Sequence, residues 1–214
     1  NDIYTVYQIL GGRNIAETLD AISAINAITA IIAIIAISIS SQAQNIDTVW
    51  FKSHPIDGLA SDFIKLLESD GFIKGQPTHT KTVSLKGNVS GIDSCLVFVT
   101  PAENTGKVYY LTIHFPVVNN WTDIRNQYLI IKDALISKYG PCMSSNEGFL
   151  GSYSEGEEMK ALSEDKVHYT SMWGKDMNIT LTISKSKSIR LRYKNVANEK
   201  ESLRITREKL AKDL

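Results

Sequence analysis

Apolar positions change their spacing several times along this chain, and each change predicts an element. "DTVWFKSHPIDG" is a short extended run ending in a turn, because Pro55 keeps His54 out of the helical region and Asp57-Gly58 is a turn pair. Leu59, Phe63, Ile64, Leu66 and Leu67 then recur at helical spacing, with Asp57 as the expected cap. Gly71 suits the left-handed position past the helix end, and Phe72 the apolar contact that accompanies it. Three strands follow: Val83 to Val89, "SCLVFV" with both faces apolar, and "KVYYLTIHF" in alternation. Their short, turn-rich links favour an antiparallel meander.

A second helix is predicted over 121–139, capped by Asn120, with Trp121, Ile124, Tyr128, Ile131 and Leu135 as its buried stripe and Gly140-Pro141 as its stop. Residues 144–158 are polar and rich in Gly, Ser and Glu, and read as a mobile loop. "VHYTSMW" is a further strand. In the hairpin after it, Ile179, Leu181 and Ile183 share a side with Ile189, Leu191 and Tyr193. The charged tail 196–214 is amphipathic and reads as a partly solvated helix. The expected fold is α+β: an antiparallel β-meander sheet packed by two amphipathic helices, plus a C-terminal helix and an N-terminal hydrophobic helix, with residues 44–214 as a single domain.

That N-terminal helix has its own pattern. Between residues 21 and 37, Ala and Ile each return every third position, and no charge occurs between Asp20 and Asp47. A step of three turns about 300° around a helix, so the isoleucines cover every side of it. Residues 21–40 are long enough to span a bilayer, so a retained membrane anchor is one reading and a buried core helix another. The favoured reading is an export signal, with Ala27 to Ile37 as its apolar core and Ser41-Gln42-Ala43 as a small-residue site cleaved between Ala43 and Gln44. Residues 1–20 carry one Arg against three acidic residues, where a signal has a basic flank. The first methionine is Met143, so they are read as a non-native or fragmentary leader.

Composition adds exclusions. The chain carries 23 basic and 23 acidic residues, which argues against a nucleic-acid partner. Its two cysteines, Cys95 and Cys142, do not form a C-x-x-C pair. In an exported chain such a pair is expected to form a disulfide, stabilising the fold by about 4 kcal/mol, with two buried free thiols as the alternative.

"WFKSHPIDGLASDFIKLLESDGF" resembles the start of an uncharacterised family of exported proteins from Gram-negative gut bacteria. These open with a signal ending near Gln-Ala-Gln, followed by an F-x-G-I-P-[IL]-D-G turn, a helix closing on Gly-Phe, a meander, and a helix ending in Lys-Tyr-Gly-Pro. Phe51, Pro55, Ile56, Asp57, Gly58, Gly71, Phe72, Lys138, Tyr139, Gly140 and Pro141 match, while Ser53 and His54 replace the usual Gly-Ile. The resemblance spans residues 44–195. It implies export and this fold, places residues 21–43 in a discarded signal, and brings no activity.

Candidate chemistry is sparse. His54, His79, His114 and His168 are far apart and outside any H-E-x-x-H pattern, so no metal site is expected. No cofactor motif is present. Asp57 and His54 could form an acid–base pair, although a capping role explains Asp57 without chemistry. Ser163 to Lys166 and Ser184 to Lys187 match S-x-x-K, a spacing expected by chance among so many lysines.

Arg190, Arg192 and Lys194 share one face of the last strand and make a basic stripe able to meet anionic lipid, polysaccharide or an acidic partner. The plainer and favoured reading is the solvated face of an edge hairpin. The functional expectation is an exported cell-envelope protein, periplasmic or extracellular, acting as a non-enzymatic module for a protein, peptide or glycan. Contact with a membrane is expected only through residues 21–43 if uncleaved. The alternatives are an envelope hydrolase with a site built from distant residues, or an inhibitor presenting 144–158 to another enzyme.

Overall fold

The computed structural model describes residues 48–76, 81–176 and 178–213, all within the unit Gln44–Leu214. Residues 1–20, the apolar segment 21–43, the Ala43–Gln44 junction and His79 lie outside the described residues. Among the described residues no helix is long and apolar enough to cross a membrane.

The chain opens with a tight hairpin, β1 (Trp50–Phe51) and β2 (His54–Pro55), and continues into α1 (Ala60–Ser69). In α1, Ala60, Phe63, Ile64 and Leu67 are buried, one stripe at steps of three and four. The helix stops as its sequence predicts. Gly71 adopts φ +88°, and the Phe72 amide donates to the Leu67 carbonyl at 3.0 Å. Next come β3 (Ile73–Lys74), β4 (Val83–Val89), β5 (Ile92–Pro101) and β6 (Val108–His114). Then α2 (Trp121–Tyr139) starts where Asn120 Oδ1 accepts from the Asp123 amide at 3.2 Å, and ends at Gly140 with φ +76°.

The second half repeats the plan. It contains β7 (Ser144–Phe149), a short α3 (Glu158–Ser163), β8 (Val167–Trp173), β9 (Ile179–Ser184), β10 (Ser188–Lys194) and α4 (Val196–Asp213). Strands β3 to β10 form one eight-stranded antiparallel sheet, ordered β3-β4-β5-β6-β10-β9-β8-β7. Each half is thus a helix followed by a four-stranded meander. The two meanders join through their last strands, β6 against β10.

Register puts apolar side chains in rows on one face. One row across the strands reads Leu85, Val97, Ile113, Leu191, Leu181, Ser171, Ser145; the next reads Val83, Val99, Leu111, Tyr193, Ile179, Trp173. Helices α1 and α2 pack on this face, and most of these positions are buried. Ser171 is fully buried in the row, and its hydroxyl is satisfied by Tyr128 of α2 at 2.7 Å.

Several expectations are corrected. Residues 144–149 are not loop but the edge strand β7, paired along its length with β8, which leaves 150–157 as the connection to α3. A long loop 144–158 presented to another enzyme is therefore not what the fold displays. Asp57 does not cap α1, whose N-cap Leu59 has no side-chain bond. Its carboxylate accepts from the Gly58 amide at 2.8 Å and from Asn198 of α4 at 3.0 Å. His54 pairs with Asp70 at 3.0 Å, not with Asp57.

The disulfide does not form. Cys95 and Cys142 are free thiols. Cys95 lies on β5, and the residue after Cys142 bonds to β8, four strand positions away in the sheet. At about 4.8 Å per strand that is about 19 Å, well beyond the roughly 4–7 Å between Cα atoms that a disulfide allows. Burial, aided by the charge of Asp93, pushes the Cys95 thiol above its ordinary pKa, and it donates to the Ile92 carbonyl at 3.3 Å.

Candidate functional site

Side chains that alternate with the core rows point to the other face of the sheet. There, one row across the strands reads Lys86, Leu96, His114, Arg190, Thr182, Thr170, Asn146, and the next reads Ser84, Phe98, Thr112, Arg192, Thr180, Met172, Ser144. A shorter third row is Thr100, Tyr110, Lys194. These positions are half-buried or exposed, as on a sheet face without a covering layer. None of the three rows contains a carboxylate, although acidic and basic residues balance over the whole chain. Of the acidic residues on the sheet's strands, Asp93 of β5 and Glu147 of β7 both stand outside these rows.

Arg190, Arg192 and Lys194 stand at the middle of this face, because β10 joins the two meanders. The sequence grouped them on one face correctly, but read them as the edge of a hairpin. Their surroundings differ. Lys194 is neutralised by Glu199 of α4 at 2.7 Å. Arg190 and Arg192 have no ion-pair partner among the described residues. Arg192 lies over the Tyr110 ring, 5.5 Å from its centroid.

Successive same-face residues on a strand are about 7 Å apart, so the two guanidinium groups repel each other and neither is compensated. Burial, and then the charge of Arg192, lowers the Arg190 pKa from its ordinary value, yet a guanidinium remains charged in a protein. His114, opposite Arg190 on β6, packs edge-on against Phe98 with ring centroids 5.3 Å apart. Burial, with Arg190 and Arg192 adding to it, holds its pKa below the ordinary value, so the ring is neutral at pH 7.

What such a face can do is hold an anion. Two guanidinium forks offer paired donors to carboxylate, sulfate or phosphate oxygens, threonine hydroxyls flank them, and Phe98 and Tyr110 give flat apolar surfaces beside them.

A second polar cluster was not visible in the sequence. Lys132 of α2, Ser145 and Glu147 of β7, Ser171 of β8 and Tyr128 of α2 form a continuous hydrogen-bonded chain. Lys132 Nζ donates to Ser145 Oγ at 3.0 Å and to Glu147, and Ser145 Oγ lies 3.0 Å from Ser171 Oγ. A Ser–Lys contact is the geometry of a nucleophile and its base. Here Lys132 is ion-paired with Glu147 and donates to Ser145 Oγ, and that hydroxyl is itself hydrogen-bonded to Glu147 and Ser171. Burial pushes the Glu147 carboxyl up, but hydrogen bonds from Lys132 and Ser145 and the charges of Lys132 and Arg125 outweigh it and keep it below its ordinary value. The cluster ties the edge strand to α2.

The S-x-x-K matches have no such geometry. Ser163 ends α3 and donates to the Lys160 carbonyl at 2.7 Å, and Ser184 to Lys187 forms the β9–β10 turn. Among the described residues no group of three His, Cys, Asp or Glu side chains converges on a metal position. In comparisons with known proteins, no family model, no curated protein and no solved structure matches this chain.

Proposed function

We propose that this protein is an exported, non-enzymatic module of the cell envelope that binds an acidic glycan on the open face of its sheet. The observation that carries this reading is the pair of uncompensated guanidiniums, Arg190 and Arg192, at the centre of a face whose rows hold no carboxylate. The apolar segment 21–43 and the resemblance to exported proteins support the location. An extended flat face with aromatic surfaces, hydroxyls and arginines suits an oligosaccharide chain bearing carboxylates, while the balanced charge of the whole chain argues against nucleic acid.

Calorimetric titration with an oligogalacturonate, against a neutral oligosaccharide of equal length, tests this. Binding of the acidic chain is expected to weaken about tenfold for Arg190→Ala and again for Arg192→Ala, and to weaken with added salt. Arg207→Ala, on the exposed part of α4, is expected to leave it unchanged. Equal affinity for the neutral chain, or indifference to both arginine changes, would overturn the reading.

His114 adds a pH dependence with a definite sign. Its folded pKa lies below its unfolded value of about 6.5, so as pH falls from 7 the unfolded chain takes up this proton first. His114 therefore contributes full stability above about 6.5 and loses it as pH drops toward 5. Denaturant midpoints at pH 7 and pH 5 are expected to lie closer together in His114→Gln than in the parent. An unchanged gap would contradict the placement of His114 beside Arg190.

A further inference from the structure

A cavity of about 260 Å³ opens on the other side of the molecule, between α2, the core face of the sheet and the β1–β2 hairpin. Phe51, Val89, Ile92, Phe115, Ile131 and Leu191 supply apolar walls. The mouth is apolar as well: Trp50 and Ile130, both at the cavity, are 41% and 69% exposed. Two further features point to a ligand. Lys52 and Lys138 lie at the cavity, and neither makes an ion pair among the described residues. Lys52 rests over the Phe72 ring at 4.8 Å, and Lys138 donates to the Trp50 carbonyl at 3.2 Å, so both ammonium groups are held in place beside the opening. Tyr193 also lines the cavity and is only 5% exposed, yet its hydroxyl makes no hydrogen bond with any described residue. A hydroxyl that bonds to no described residue is free to meet water or a group inside the hollow.

We infer that this cavity binds a monoanionic amphiphile with one short apolar tail, the tail seated between α2 and the sheet and the anionic head beside Lys52 and Lys138. The volume sets the size. It is slightly under the roughly 300 Å³ at which ordinary small-molecule sites begin, which admits a single short chain and excludes a two-chain lipid. The charge sets the head group, since two uncompensated ammonium groups at an apolar mouth favour an anion. The walls set the tail, because Ala134 and Ser90 leave open a space that larger side chains would fill. The inference stands on different residues from the glycan face and does not depend on it.

Decanoate is the simplest probe, and Trp50 at the mouth is a natural reporter. Titrating the 214-residue chain with decanoate below its micellar range is expected to give a saturable change in tryptophan emission. Decanol, with the same tail and no charge, is expected to bind about tenfold more weakly, and butyrate not measurably. Lys52→Ala with Lys138→Ala is expected to bring decanoate down to the level of decanol, while Tyr193→Phe weakens it about threefold. Ala134→Trp, at an exposed position of α2, is expected to block the cavity and abolish the response without changing the circular dichroism spectrum. No saturable response, equal affinity for decanol and decanoate, or binding that survives Ala134→Trp would each overturn the assignment.

Discussion

Trp173→Ala is expected to remove about 3–5 kcal/mol from the unfolding free energy, the largest effect of any single change in the core. Trp173 is 1% exposed at the end of β8, beside Ile179 in the core row, so truncation leaves a cavity that strands on both sides cannot collapse into. It also loses the bond from Nε1 to the Gly140 carbonyl at 3.0 Å, which ties β8 to the residue that ends α2. Trp173→Phe separates the two losses, because it keeps most of the packing and forfeits the bond, at a cost of about 1–2 kcal/mol. Urea denaturation is the measurement: the midpoint should move while the slope stays constant. A cost below about 2 kcal/mol for the alanine variant would mean that the indole is not enclosed as described.

Gly87→Val is expected to cost about 3 kcal/mol, for a reason that has nothing to do with backbone freedom. Gly87 has ordinary extended geometry in β4, but a β-carbon built on it would stand 2.4 Å from one Phe72 ring atom and 2.7 Å from two more. Phe72 cannot withdraw, since it is buried and packed edge-on against Phe51 with ring centroids 6.1 Å apart. The ring fills the place of the missing side chain, and adding an isopropyl group overpacks the site. Shrinking the ring should relieve it: Phe72→Leu combined with Gly87→Val is expected to be more stable than the sum of the single changes implies. Strict additivity would show that the two residues do not compete for one space.

Where the sequence was legible, a strong period coincided with chemical punctuation. Helix α2 was placed to the residue because Asn120 and Gly140 bracket a long apolar stripe, and α1 was stopped correctly by Gly71. The β9–β10 hairpin was readable because isoleucine, leucine and tyrosine alternate with polar residues on both arms. Strand β7 was missed because "SSNEGF" holds one large apolar residue, and an edge strand whose side chains bond to Lys132 and Ser171 needs no apolar alternation. Helix α3 is too short to show a period.

The site was half legible. Parity along β10 grouped Arg190, Arg192 and Lys194, but only the sheet order shows that β10 lies at the centre rather than the edge. The cavity and the Lys132–Ser145–Glu147 cluster join residues that no local pattern connects. The disulfide was misjudged because pairing by count ignores where the strands between the two cysteines lie.

The join between β6 and β10 has a consequence for synthesis. As the chain emerges in order, β6 completes the first meander while its partner, some 80 residues on, has yet to be made. Through that interval β6 is an edge, with Val108, Leu111 and Ile113 beside unsatisfied amides and carbonyls. The strand that finally covers it is the last of the sheet's eight strands in chain order, and it brings Arg190 and Arg192 with it. A chain cut short before residue 188 would therefore lack Arg190 and Arg192 and also carry a sticky border, so one strand both completes the basic face and seals the edge of the first meander.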